Sequence, residues 1–233
     1  SHDDTIDGVV NIQDLKRRSE TVLNSDGHID PAHRARYIAE LKTARSTTED
    51  VVQTHFTFIQ HVKDTLERAG QPVSDQLKAI EKTEGLLRDR GIIIHPHSNN
   101  PHSNMHINMF NTHWNHISGY DNVSVVAQKW LDYLNYGVRI EKLTELEQLD
   151  SLIEKAEQHN DFDWKWLAPA QHYDEYFARR KTGGGIELSL EMLLLLEGKT
   201  DVPQAAKDAT YKLLAWINDS YSLQKEWTSG EQD

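Results

Sequence analysis

Apolar residues recur at helical spacing along almost the whole chain, and that period leaves room for little except packed α-helices. Val51, Val52, Phe56, Ile59, Val62 and Leu66 mark one face of a segment running from Thr47 to Ala69. Trp130, Leu131, Leu134, Val138, Leu143, Leu146, Leu149 and Ile153 do the same for Val123 to His159. Asn11 to Leu23, Pro31 to Arg45 and Ser74 to Arg90 read as further amphipathic helices. They are separated by Asn/Ser/Asp/Gly, by Ser46 with its neighbouring threonines, and by Gly70-Gln71-Pro72. Only Gly91 to Ile94 offers a strand-like run, and no long-period repeat is present. The expected class is all-α, and 233 residues suffice for one large core, so one α-domain is expected over 1–233.

Charge narrows the partners. With 25 Lys and Arg against 37 Asp and Glu, the net charge is −12, which disfavours nucleic acid, because phosphate backbones are held by clustered cations. The lack of cysteine excludes disulfides, thiol catalysis and zinc-thiolate sites. No apolar run reaches membrane-spanning length and no signal peptide is visible, so a cytoplasmic location is expected; a homodimer fits as well as a monomer.

The densest chemistry lies near the C-terminus. Asn218, Ser222 and Glu226 are spaced i, i+4, i+8, which stacks an amide oxygen, a hydroxyl and a carboxylate along one helix face. Such a hard oxygen set suits Mg²⁺ shared with a substrate's phosphates, with Mn²⁺ as a substitute. Tyr211, Leu213, Leu214, Trp216 and Ile217 precede it without a helix breaker. At the other end Asp3 and Asp7 are i, i+4 with Asp4 beside them, a carboxylate cluster that cations would stabilise.

Asn218-Asp219-Ser220-Tyr221-Ser222-Leu223-Gln224-Lys225-Glu226 fits the pattern (N/D)D-x-x-(S/T)-x-x-(K/R)-E at every specified position. Upstream stand Tyr176-Phe177-Ala178-Arg179-Arg180-Lys181-Thr182-Gly183-Gly184-Gly185, and Asp3-Asp4-Thr5-Ile6-Asp7 reads DDxxD. In these three segments and their order the chain resembles a class I terpene synthase. The resemblance implies a helical terpenoid-synthase bundle that ionises an acyclic prenyl diphosphate, farnesyl diphosphate by default, and cyclises the cation. It assigns Asp3, Asp4 and Asp7 to one metal cluster and Asn218, Ser222 and Glu226 to a third Mg²⁺. Arg179 becomes the diphosphate sensor, Thr182 the linker and Gly183 the effector; Lys225 assists the phosphate, and Arg180 can exchange roles with Arg179. The family sets its two metal motifs closer together than Asp7 and Asn218 stand here. An atypical insertion within residues 20–120 and missing flanking helices at both ends are therefore expected. A linear prenyl transferase is the alternative enzyme, disfavoured because its second motif is normally aspartate-rich.

Two other segments admit metal readings. Asp3-x-Thr5-x-Asp7-Gly8 with Asp14 also resembles an EF-hand or dockerin calcium loop, weakly echoed at Asn24 to Asp30, which would make the chain a non-catalytic Ca²⁺-binding helical module. His95, His97, His102, His106, His113 and His116 fall amid Asn, Ser and Pro, and 102/106 and 113/116 have helical ligand spacing. Without cysteine or an adjoining acid cluster, a polar surface loop with a helix starting near Asn104 is the favoured reading of that stretch. Trp164, Trp166 and Trp216 are aromatic candidates for lining a hydrocarbon cavity, against the commoner role of core packing.

Overall fold

The computed structural model describes residues 11–23, 31–158 and 173–229, and these are mostly helical with no strand among them. In chain order the helices are α1 (Ile12–Leu23), α2 (Pro31–Arg68), α3 (Ser74–Asp89), a 3₁₀ turn (Pro101–Ser103), α4 (Asn104–Ile117) and α5 (Val123–Tyr136). A π-helical segment (Gly137–Lys142) follows, then α6 (Leu143–Gln158), α7 (Tyr173–Gly183), α8 (Ile186–Leu196) and α9 (Gln204–Ser229). No helix among the described residues is long and apolar enough to cross a membrane.

Helix α2 runs unbroken through the Ser/Thr stretch where the sequence suggested two helices. Threonine hydroxyls there do not compete with the helix but fold back onto it: Thr47 donates to the Thr43 carbonyl at 3.0 Å and Thr48 to Ala44 at 3.1 Å. Arg45, at the same point, donates through Nε to Asp150 Oδ1 at 2.6 Å and through Nη2 to the Arg90 carbonyl at 2.9 Å. These ties hold the would-be break against α6 and the end of α3. The stripe Val52, Phe56, Ile59, Val62 and Leu66 is fully buried, each side chain contributing about 1.5–3 kcal/mol by leaving water.

Gly91 to Ile94 does not form a strand. The chain leaves α3 through a turn closed by Gly91 N–H to Arg88 O at 2.9 Å and Ile92 N–H to Leu87 O at 3.1 Å. It then runs extended beside α2, where the Gln53 amide takes the place of a neighbouring strand. Gln53 donates to the Ile93 carbonyl and accepts from His95 N–H at 3.1 Å.

From α5 to α6 the buried apolar positions advance as Trp130, Leu134, Val138, Leu143, Leu146, Leu149 and Leu152. The jump of five between Val138 and Leu143 is where the helix widens, Leu143 N–H bonding to Val138 O. A π turn absorbs one extra residue and keeps both flanking stripes facing the same core. His55 of α2 is wholly buried beside it and donates Nε2–H to Leu134 O at 2.8 Å. Burial pushes its imidazole down to about 4, so the ring is neutral and its donor tautomer fixed. A second apolar cluster, Leu15, Tyr37, Leu41, Leu149, Leu152 and Ala156, joins α1, α2 and α6. There the Tyr37 hydroxyl donates to Leu15 O at 2.9 Å.

Candidate functional site

Helices α7, α8 and α9 pack on one another at the C-terminal end of the described chain. Arg180 of α7 reaches across to α9, donating through Nε to Asp219 Oδ1 at 2.9 Å and through Nη2 to the Asn218 amide oxygen. This joins residues 39 and 38 positions apart, and the Arg180 and Asp219 side chains are only 24% and 27% exposed. Of the two arginines, Arg180 is thus seen to face α9; the Arg179 side chain lies outside the described ones. Asp219 is a site residue that reading the motif for metal ligands alone had passed over. Its only sequence signal was its fixed place beside Asn218.

One turn on from Asn218, the Ser222 hydroxyl makes a long 3.3 Å contact to the Asp219 carbonyl. Ser222 and Asn218 share the face of α9 that carries buried Tyr211 and Ala215. Lys225 and Glu226 continue the same helix, but their side chains are not among those described. Asp3, Asp4 and Asp7, and with them the calcium-loop alternative and Asn24 to Asp30, lie outside the described residues, as do Trp164 and Trp166. Trp216 is 54% exposed and, at 100° per residue, turns away from the Asn218 face, so it does not line a cavity beside the motif.

Gly183 ends α7 against α5: a Cβ there would stand 2.4 Å from Tyr136 Cε1 and 3.0 Å from Cδ1. Gly185, at φ 69° before α8, holds the left-handed conformation that glycine adopts without penalty. The turn is closed by Gly184 N–H to Arg180 O at 3.0 Å and Gly185 N–H to Thr182 O at 3.2 Å. The glycine run thus lets α7 pack tightly on α5 and reverse into α8, and its turn occupies two of the carbonyls at that helix end. Gly183→Ala should destabilise the fold by about 1–3 kcal/mol through overpacking. Thermal melting reads this, and a Tyr136→Ala background should remove the penalty; an unchanged melting temperature for Gly183→Ala alone would show that the ring simply swings aside.

Thr182 does not join Arg180. It opens, with Ala178 and Lys181, on a cleft of about 460 Å³ whose opposite wall is α5 and the π turn, carrying Lys129, Asp132, Asn135 and Arg139. On α7 the directions of Thr182 and Arg180 differ by about 160°. Two faces of one helix therefore serve two places, one on α9 and one on α5. The α5 wall was legible as a helical face, since Lys129, Asp132, Tyr136 and Arg139 follow steps of three and four.

The histidine-rich stretch forms the 3₁₀ turn and α4, the helix starting at Asn104 as expected, but it is not simply a surface loop. His106 is buried against Phe58, their ring centroids 5.7 Å apart, whereas His102 is exposed. His113 lies half-buried beside Trp130 and His116 is exposed, so each pair sets a more buried ring against an exposed one. No group of three His, Asp or Glu side chains suited to a metal occurs among the described residues. The surrounding Asn and Ser residues serve local structure: Asn100 Oδ1 accepts from His102 N–H at 3.0 Å, and Ser103 donates to Asn100 O at 2.7 Å.

No family model, curated protein or solved structure matches the chain.

Proposed function

We propose that the chain is a class I terpene-synthase-like domain that ionises an acyclic prenyl diphosphate and cyclises the resulting cation. The observation that carries this reading is Arg180, whose guanidinium sits on Asn218 and Asp219 and so brings the arginine segment and the C-terminal motif to one place. An all-α chain with these two segments in contact is what the resemblance requires.

The donor set fits a hard divalent cation. Asn218 and Ser222 offer neutral oxygens on one face of α9, the Ser222 hydroxyl makes a long contact to the Asp219 carbonyl, and Glu226 follows a turn later in the same helix. Mg²⁺ bound there would neutralise diphosphate charge and make it a better leaving group. Arg180, already within hydrogen-bond reach of Asn218, would turn its planar fork to diphosphate oxygens and orient them for departure. Lys225 would add a point charge, and Asp219 holds Arg180 in place. Thr182 and Gly183 bear on α5 instead, so their part in this reading is to set the approach of α7. Farnesyl diphosphate remains the default substrate, with a linear prenyl transferase as the enzyme alternative.

Thermal melts with Mg²⁺, with inorganic diphosphate, with both and with neither test the proposal. Both together should stabilise the protein by far more than either alone, about 2.7 kcal/mol at a hundredfold excess over Kd, since each completes the other's coordination. A response to Ca²⁺ without any phosphate would replace the synthase reading with the calcium module.

A further inference from the structure

The α5–α7 cleft has more cations than carboxylates, the reverse of the chain as a whole. The chain has a net charge of −12, yet Lys129, Arg139 and Lys181 line this space against two carboxylates, Asp132 and Glu187. One carboxylate is already matched: Glu187, at the start of α8, is paired with Lys129, and their side chains are 13% and 29% exposed. Asp132 is half-buried, and desolvation raises its carboxyl's pKa, with Lys129 pulling it back and Glu187 pushing it further up. Arg139 and Lys181 remain. Neither forms an ion pair with a described residue, and Lys181 rests over the Tyr211 ring at 5.8 Å from its centroid.

Neutral donors stand between these cations. The Asn135 carbonyl oxygen is taken by the Thr83 hydroxyl at 2.6 Å, so what Asn135 offers the cleft is its amide N–H groups. Thr182 adds a hydroxyl from the opposite wall. Two cations and two neutral donors on facing helices suit a phosphate, whose higher charge and three or more acceptor oxygens can be met from both walls at once. The space, about 460 Å³, is an open cleft and not an enclosed cavity, which suits a small anion met from its two walls.

We propose that this cleft is a phosphate-binding site in which Arg139 and Lys181 supply the charge, and Asn135 and Thr182 the neutral donors, without a metal ion. It does not rest on the cyclisation reading, because it uses neither Arg180 nor the oxygens of Asn218 and Ser222. The phosphate is either free or the head group of a small organic molecule.

Calorimetric titration of the full chain at low salt in EDTA, with inorganic phosphate, a phosphomonoester such as glycerol phosphate, and acetate, tests the site. Saturable binding of a phosphate is expected, with acetate at least tenfold weaker; the tighter of the two phosphates identifies the source. Arg139→Gln and Lys181→Gln should each weaken binding tenfold or more, and Lys78→Gln, an exposed charge on α3, should leave it unchanged. No saturable binding by the wild-type chain overturns the proposal whatever the variants do. So does equal affinity in all three variants, or acetate bound as tightly as phosphate. EDTA keeps a metal-dependent surface at Asn218 out of the readout, so this site and the cyclase reading fail separately.

Discussion

Asn218→Ala and Glu226→Ala are each expected to lower turnover of farnesyl diphosphate on the order of 10²-fold, the scale on which one electrostatic contact to a departing group is felt. The far-UV helical signal should not change. Asn218 is exposed, and a polar-to-Ala change at an exposed helix position costs little packing, so lost activity would not be lost fold. Arg180→Ala should cost a similar factor. Because Arg180 bonds to Asn218, the Arg180/Asn218 double variant should lose less than the product of the two single losses, the mark of groups acting as a unit. Near-wild-type turnover in both Asn218→Ala and Glu226→Ala would reduce the C-terminal pattern to a coincidence of helix composition.

How far the sequence spoke depended on whether a feature was local. Stripes with a period near 3.6 fixed the helices because burial needs one face, and Val52 through Leu66 are buried as that period requires. Two of the misread places were decided by partners remote in sequence. Ser46 and its neighbouring threonines looked like a break, but the Thr48 hydroxyl both folds onto Ala44 O and donates to Glu145, 97 positions away, at 2.6 Å. Ile93 looked like a strand, but its carbonyl is served by a side chain of α2. The same division holds at the candidate site. The oxygen ladder of α9 is readable from spacing alone, whereas the contact of Arg180 with Asp219 depends on how α7 rolls against α9. The cleft was missed because it needs one face of α5 and one of α7, each an ordinary charged helix surface by itself.

Glu145→Ala should be among the most destabilising single changes, about 3–5 kcal/mol, although Glu145 touches neither proposed site. Lys142 closes the π turn with its side chain only 2% exposed and donates Nζ–H to Glu145 Oε2 at 2.7 Å. Truncating Glu145 takes from that buried ammonium its ion-pair carboxylate and also removes one acceptor of the Thr48 hydroxyl. The pair itself need not be a net source of stability, since desolvating both charges offsets most of their attraction. Lys142→Met with Glu145→Leu should therefore recover most of the loss. Urea unfolding separates the two cases by midpoint at constant slope. A Glu145→Ala loss below about 1 kcal/mol would mean that water or another acceptor reaches Lys142 at once. The consequence reaches function through the turn, because Gly137–Lys142 also carries Arg139. An ion pair that fixes the register of this widened turn fixes where that guanidinium stands in the cleft. Glu145→Ala should accordingly weaken metal-free phosphate binding even at temperatures where the protein stays folded, while the repacked Met/Leu pair restores it.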